Sequence, residues 1–144
     1  MLPETIELQV VTPERHVLQE TVQAIEVPGK EGYLGVLPGH APLITELGIG
    51  VLSYRKDSET RYLTVIQGYA EVLPSRVIIL AELSERAEEI DIERTRAAHA
   101  RAEAELAKAV SGDADWQRAT FALARAMVRL QVASRGGAAA GAQE

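Results

Sequence analysis

Arg76-Val77-Ile78-Ile79-Leu80-Ala81-Glu82-Leu83-Ser84-Glu85-Arg86-Ala87-Glu88-Glu89-Ile90-Asp91-Ile92-Glu93-Arg94-Thr95 is the stretch in which the chain changes character. Up to Leu83 the residues are those that suit a pleated sheet. All four Tyr, every Pro and most of the Val and Ile lie before residue 84. After it the composition turns to Ala, Arg, Glu and Leu, which lose little rotamer freedom in a helix. The reading is β + α: an antiparallel β-sandwich or flattened barrel over 1–83, a two-helix antiparallel hairpin over 84–133 and a flexible tail over 134–144.

Outward from that boundary, the N-terminal part breaks into short strands. Thr5-Ile6-Glu7-Leu8-Gln9-Val10 alternates apolar and polar residues, the pattern of a half-buried strand. Thr12-Pro13-Glu14-Arg15 reads as a turn with Pro at its second position. Strands are expected at 15–19, 21–27, 32–37, 42–47, 49–55, 60–67, 69–73 and 76–83, parted by Gly, Pro and polar turns such as Lys56-Asp57-Ser58-Glu59 and Pro74-Ser75. Many short strands with no helix between them indicate a sandwich or barrel. In the C-terminal part Asp91 is placed to cap a helix over 92–110, with Ile92, Thr95, His99, Ala102, Leu106 and Val110 on one side. Ser111-Gly112-Asp113 ends that helix and caps a second, whose expected apolar stripe is Trp116, Thr120, Leu123, Met127 and Leu130. Both stripes are narrow and rich in Ala, so the hairpin needs tertiary partners.

Composition excludes several functions. Of 144 residues 47 % are apolar and 25 % charged, and the net charge of −6 gives no basic field for nucleic acid. With no Cys there is no disulfide, thiol nucleophile or Cys-ligated metal, and the three His lie far apart without metal-ligand spacing. No apolar run reaches the ~18–20 residues that span a bilayer, and Met1-Leu2-Pro3-Glu4 does not open a secretory signal. The expected setting is cytosolic, with any membrane role exercised through a partner. Residues 1–83 carry 6 basic and 11 acidic groups, whereas 84–135 carry 9 of each. The helices are therefore highly charged but balanced.

The densest motif is Gly32-Tyr33-Leu34-Gly35-Val36-Leu37-Pro38-Gly39-His40-Ala41-Pro42-Leu43-Ile44-Thr45, followed by Gly48 and Gly50. Its glycines and prolines define a compact corner, and without GK[ST] it is no phosphate loop. His40 has no nucleophile beside it, so a turn histidine bonded to backbone is the simpler reading. His99 reads as a helix-edge residue and Trp116 as hairpin core.

That block resembles the G-x-x-G-x-x-P-x-H-x-P hallmark of the epsilon subunit of the F-type ATP synthase. Ile25-Glu26-Val27-Pro28-Gly29, Gly68-Tyr69-Ala70-Glu71-Val72, Ala81-Glu82 and the helical hairpin extend the resemblance over about 4–133. It implies a flattened β-sandwich followed by two helices. Ile90-Asp91-Ile92-Glu93-Arg94-Thr95 resembles the [IL]-D-x-x-R-A sequence by which some bacterial epsilon subunits bind ATP, with Thr95 in place of Ala, a β-branched residue expected to crowd the site. By the same resemblance Glu85, Arg101, Arg125 and Arg129 match further positions of an ATP site that includes Asp91 and Arg94. Simple periodicity instead makes all four arginines surface charges. Their convergence then requires the two helices to be rotated or offset.

The resemblance implies a non-catalytic central-stalk subunit that joins the gamma subunit, contacts the c-ring near Tyr33 and His40, and couples rotation to ATP synthesis at the alpha/beta subunits. It implies a peripheral, cytoplasmic-side place on the cell membrane through that complex. No cofactor is required, ATP being a regulatory ligand, and the hairpin regulates ATP hydrolysis. A stand-alone binding module with a nucleotide-responsive hairpin is the alternative. A small hydrolase fails for want of a clustered nucleophile, base and orienter.

Overall fold

The computed structural model describes residues 3–142. Seven strands come first: β1 (Ile6–Val11), β2 (His16–Val22), β3 (Ala24–Gly29), β4 (Gly32–Val36), β5 (Leu43–Lys56), β6 (Glu59–Val72) and β7 (Arg76–Leu83). A short 3-10 turn, Ala87–Glu89, leads to helices α1 (Ile92–Lys108) and α2 (Ala114–Ala142). The strands form one sheet in the order β2-β1-β7-β6-β5-β3-β4, antiparallel throughout except for the parallel pair β1–β7. The sheet folds over on itself, so that β2 touches β5 across the core although the two are not neighbours in the order. Leu8, Val10, Val22, Val27, Val36, Leu52, Leu63, Val65, Val72, Val77 and Ile79 fill the interior and are essentially inaccessible. The sandwich and two helices expected from the residues are thus observed.

Two pairs of expected short strands are each one long strand. Residues 42–47 and 49–55 fall largely in β5, and 60–67 and 69–73 in β6, each strand being 14 residues long. The breaks at 48 and 68 mark a change of face. In β5 Leu47 points into the sandwich, but beyond Gly48 the inward residues are Leu52 and Tyr54, while Ile49 and Val51 turn outward. In β6 Leu63 and Val65 point inward, Ile66 outward, and past Gly68 the inward residues are Ala70 and Val72. The two strands remain paired on both sides of the kink, from Ile49↔Ile66 to Leu47↔Gly68. At the kink Gln67 and Gly68 both leave the extended conformation for positive φ, 57° and 135°.

The hairpin packs on the outer face of β5 and β6. Asp91 Oδ1 accepts from Arg94 N at 3.1 Å and Asp113 Oδ1 from Trp116 N at 2.8 Å, the two expected caps. In α1 Thr95 and Ala102 are buried as expected, but Ile92 is exposed and Val110 lies beyond the helix. In α2 the expected stripe holds only in part: Trp116, Leu123 and Leu130 are half-buried, but Thr120 and Met127 are exposed, and among the described residues the buried ones are Ala119, Ala126, Val128, Val132 and Ala133. The helix also runs on past residue 133 to Ala142, where the sequence suggested a tail over 134–144. Ala138, Ala139, Ala140 and Ala142 have the highest helix propensity, while Gly136, Gly137 and Gly141 each cost about 1 kcal/mol in a helix. Residues 143 and 144 of that tail lie outside the described residues.

Gly68 tolerates no side chain. A Cβ there would lie 2.0 Å from Leu80 O, and its φ is one that only glycine adopts without strain. Gly68→Ala should therefore destabilise the sandwich by on the order of 3 kcal/mol, from combined backbone strain and steric displacement. A shift in the urea midpoint at unchanged slope reads this, and a midpoint equal to wild type would refute it.

Candidate functional site

Helix α2 has two buried faces at once. Ala119 and Ala126 share one side, whereas Val128, Val132 and Ala133, with half-buried Phe121, face Val51, Ile66 and Ile90 of the sandwich and linker. At 3.6 residues per turn, Arg125 and Arg129 fall between these two faces. They project into the crease where α1, α2 and the outer face of β6 and β7 meet.

That crease is a cavity of about 420 Å³. Its walls include Ala98, Arg101, Ala102 and Glu105 of α1, Ala122, Arg125, Ala126 and Arg129 of α2, and Ile66, Leu83 and Glu85. Alanines at 98, 102, 122 and 126 leave room for guanidinium groups to lie along the seam. Arg129 Nη2 donates to Glu85 Oε2 at 3.1 Å, and its Nε lies 2.8 Å from Oε1, within ion-pair distance but without hydrogen-bond alignment. Arg125 Nε is buried with no hydrogen-bond partner, and its guanidinium stacks over the Phe121 ring at 5.0 Å from the centroid. Three arginines and two glutamates thus line the crease, and the arginines suit an anion with several oxygens.

Four of the six residues named from the resemblance, Glu85, Arg101, Arg125 and Arg129, meet at this cavity. Asp91 and Arg94 do not line it. Asp91 is occupied as the cap of α1, and Arg94 is exposed. The expectation of surface arginines holds for Arg94 and Arg101. It fails for the half-buried Arg125 and Arg129, because the apolar periodicity of α2 serves two partners and leaves them between. Thr95 does not crowd the cavity: it is fully buried, with its hydroxyl donating to Asp91 O at 2.7 Å. The sequence reading missed Glu105, Ala98, Ala102, Ala122 and Ala126 as parts of this cavity. The i,i+4 spacing of Ala98 with Ala102 and of Ala122 with Ala126 was the signal available.

Glu85 is held in place from below. Thr64 N donates to Glu85 O and Glu85 N donates to Thr64 Oγ1, both at 2.9 Å, while the buried Ser84 Oγ donates to Thr64 O at 2.6 Å. Arg15 adds a two-pronged grip on Glu89, with Nη1 donating to Oε2 at 2.6 Å and Nη2 to Oε1 at 3.1 Å, and Nη2 also donates to Ser84 O at 3.1 Å. The Arg15 hydrogen bonds, assisted by the Arg86 backbone N–H and side chain, hold the Glu89 carboxyl at about 2, below the usual 4.5.

The other named residues sit at the β4 end. Tyr33 is 57 % exposed, yet its hydroxyl is fixed by accepting from Val51 N at 3.0 Å. A Cβ at Gly50 would meet Tyr33 Oη at 2.8 Å and Pro28 Cβ at 2.6 Å, so glycine makes the seat for the ring. His40 Nδ1 lies 2.7 Å from Ala41 O, a contact in which the ring nitrogen donates. Leu37, Leu43 and Ile44 are exposed close to it in sequence.

Comparisons with known proteins fit this arrangement. Residues 5–87 match the family model of the ATP synthase delta/epsilon chain, beta-sandwich domain, and residues 88–134 match that of its long alpha-helix domain. The chain is 47 % identical over 136 residues to ATP synthase epsilon chain 2 of Syntrophotalea carbinolica, covering 94 % of this chain and 99 % of that one. It is 52 % identical over 105 residues to the ATP synthase epsilon chain of Koribacter versatilis, covering 73 % and 74 %. Among solved structures, a chain of the Euglena gracilis mitochondrial ATP synthase OSCP/F1/c-ring assembly aligns with a TM-score of 0.79 at 27 % identity, over 93 % of this chain and 84 % of that one.

The Arg15–Glu89 pair sets a pH dependence. Folding lowers the Glu89 pKa, so the pair's contribution is complete above about pH 4.5 and is lost as pH falls from there through about 2. Arg15→Ala should flatten the acid limb of the stability profile across that window. Urea unfolding between pH 5 and pH 2 checks it, and an acid limb of unchanged slope in the variant would disprove the assignment.

Proposed function

The chain belongs to the ATP synthase delta/epsilon-chain family, and from that premise we propose how its two parts divide the work of a central-stalk subunit. It is an epsilon subunit of ATP synthase, a stalk component that is not itself catalytic. The complex sits in the membrane. Among the described residues no helix is long and apolar enough to cross one. In our reading the chain sits peripherally, on the cytoplasmic side, and reaches the membrane through its neighbours.

The sandwich is the docking part. It joins the gamma subunit and turns with it, and the end that carries Tyr33 and His40 faces the polar loops of the c-ring. Rotation driven by proton flow is thereby coupled to synthesis at the alpha/beta sites. The exposed Tyr33, Leu37 and Ile44 supply apolar contact area there.

The hairpin is the regulatory part. The observation that carries this is its mode of attachment: α2 packs against the sandwich, and α1 packs mainly on α2. A few aliphatic side chains, each contributing about 1.5–3 kcal/mol on burial, hold the unit down against the entropy of ordering it. Two arrangements that differ by a few kcal/mol make a switch. Docked, the hairpin leaves ATP hydrolysis free, and released along gamma it blocks hydrolysis. ATP favours the docked form by placing its phosphates among Arg101, Arg125 and Arg129 in a cavity whose sandwich-side wall, Ile66, Leu83 and Glu85, is present only when the hairpin is docked. At ATP about one hundred times Kd this shifts the balance by ~2.7 kcal/mol if the released form does not bind.

A chain ending at Ile90 should keep the sandwich folded and co-purify with gamma, and the enzyme rebuilt with it should hydrolyse ATP faster than with the full chain. Loss of gamma binding by a folded truncation would remove the docking role, and equal hydrolysis rates would remove the regulatory one. In calorimetry on the whole subunit, Arg125→Ala and Arg129→Ala should each weaken ATP-Mg binding by about tenfold or more. Arg94→Ala, outside the crease, should stay within about twofold. No binding heat in the wild type at millimolar ATP-Mg would leave the switch without this ligand.

A further inference from the structure

Resting on the reading that the hairpin leaves the sandwich, we infer that the linker Ser84–Ile90 stays behind, and that the pivot is the Ile90–Asp91 junction. The linker is built into the sheet. Ser84 is 3 % exposed, Ser84 and Glu85 exchange three hydrogen bonds with Thr64, and Arg86 makes an antiparallel bridge to Leu63. Its far end is clamped twice. Arg15 holds Glu89 from the β1–β2 loop, and Glu89 Oε1 accepts from Arg86 N at 2.9 Å, closing the turn on itself. Ile90 N then donates to Ala87 O at 3.2 Å.

The next residue belongs to a different unit. Asp91 spends its side chain on Arg94 N and its carbonyl on Thr95, both within α1. Ile90 and Asp91 are extended, with φ/ψ of −86°/123° and −81°/104°, and among the described residues no hydrogen bond joins the turn to the helix. Two self-contained, capped units therefore meet at a single pair of backbone rotations. What otherwise ties them together is side-chain contact with α2: Val128 and Val132 in one cluster with Ile90, Arg129 on Glu85, Arg135 over the Tyr62 ring, and Gly136 against Ala87. All of these can part without breaking a backbone hydrogen bond. Peeling the linker would break the Thr64 bonds and the Arg15 clamp as well.

A consequence concerns Glu85. It remains on the sandwich when Arg125 and Arg129 leave, so release separates this carboxylate from the arginines of the crease. Docking then rebuilds the cavity from its two parts.

Hydrogen exchange followed by mass spectrometry on the full chain in mild urea tests the pivot. Once released, α2 loses the sandwich packing that sustains it and its helix frays, so the expected result is early exchange over 114–136, with the amides of Glu85, Arg86, Glu89 and Ile90 keeping their protection until the sandwich strands open. Early exchange of 84–90 together with α2 would overturn the inference and put the pivot before Ser84. Exchange of helices, linker and strands in one step would overturn instead the reading that the hairpin is separately released. Gly136→Ala provides a second arm: a Cβ there would lie 2.5 Å from Ala87 Cβ, while alanine favours helix. Faster exchange over 114–136 with 84–90 unchanged supports the pivot, and faster exchange of both counts against it. Because the chain has no Cys, R15C/E89C joined by a short bis-maleimide gives a third. The bridged chain should still release its hairpin, whereas a bridge that abolishes release would place the moving joint inside the linker.

Discussion

The β5–β6 pair is the member on which everything else is built. Its two strands stay paired from Lys56↔Glu59 to Leu43↔Val72, and its two faces serve two cores. One face supplies Leu52, Tyr54, Leu63 and Val65 to the sandwich, and the other presents Ile49, Val51, Tyr62 and Ile66 to the hairpin. A strand that is apolar on both alternating faces is stable only where both are covered. The change of face at Gly48 and Gly68 lets the same two strands continue into the opposite layer and close the fold. The positive φ at Gly68 and its close approach to Leu80 O make glycine a requirement of that passage.

The hairpin inherits its asymmetry from this surface. It is α2 that reaches Val51 and Ile66, so α1 is carried by α2 more than by the sheet. A helix wedged between a sheet and another helix must bury two faces, and the residues between them face the gap. In α2 those residues are Arg125 and Arg129. Long cationic side chains suit such a place because their stems cover apolar surface while the guanidinium groups look into the crease. The stacking of Arg125 on Phe121 and the pairing of Arg129 with Glu85 are consequences of that position.

Attachment and the proposed phosphate recognition thus share one geometry. The contacts that dock α2 also bring arginines from two helices beside a carboxylate fixed to the sheet. A partly exposed ion pair such as Arg129–Glu85, with side chains 30 % and 29 % accessible, contributes at most about 1 kcal/mol. It is therefore weak enough to yield to a phosphate. The linker differs, since it combines backbone hydrogen bonds with a two-pronged Arg15–Glu89 pair and a buried Ser84.

Much of this was legible in the residues. The alternation in Ile6–Val10, the switch of composition at Ser84 and the caps Asp91 and Asp113 are local signals, set by side-chain shape and by hydrogen bonds a few residues long. The motif resemblance named Glu85, Arg101, Arg125 and Arg129, which do meet. The rest depended on what lies across the fold. Gly48 and Gly68 read as strand ends because a break in alternation does not reveal whether pairing continues through it. The face of α2 was misjudged because a periodicity argument assumes one apolar partner, whereas this helix has two. Where strands and helices form was therefore already written in the chain, because those choices rest on near neighbours. Which way Arg125 and Arg129 point, and which unit the linker belongs to, emerged only on folding, because both rest on contacts between segments tens of residues apart.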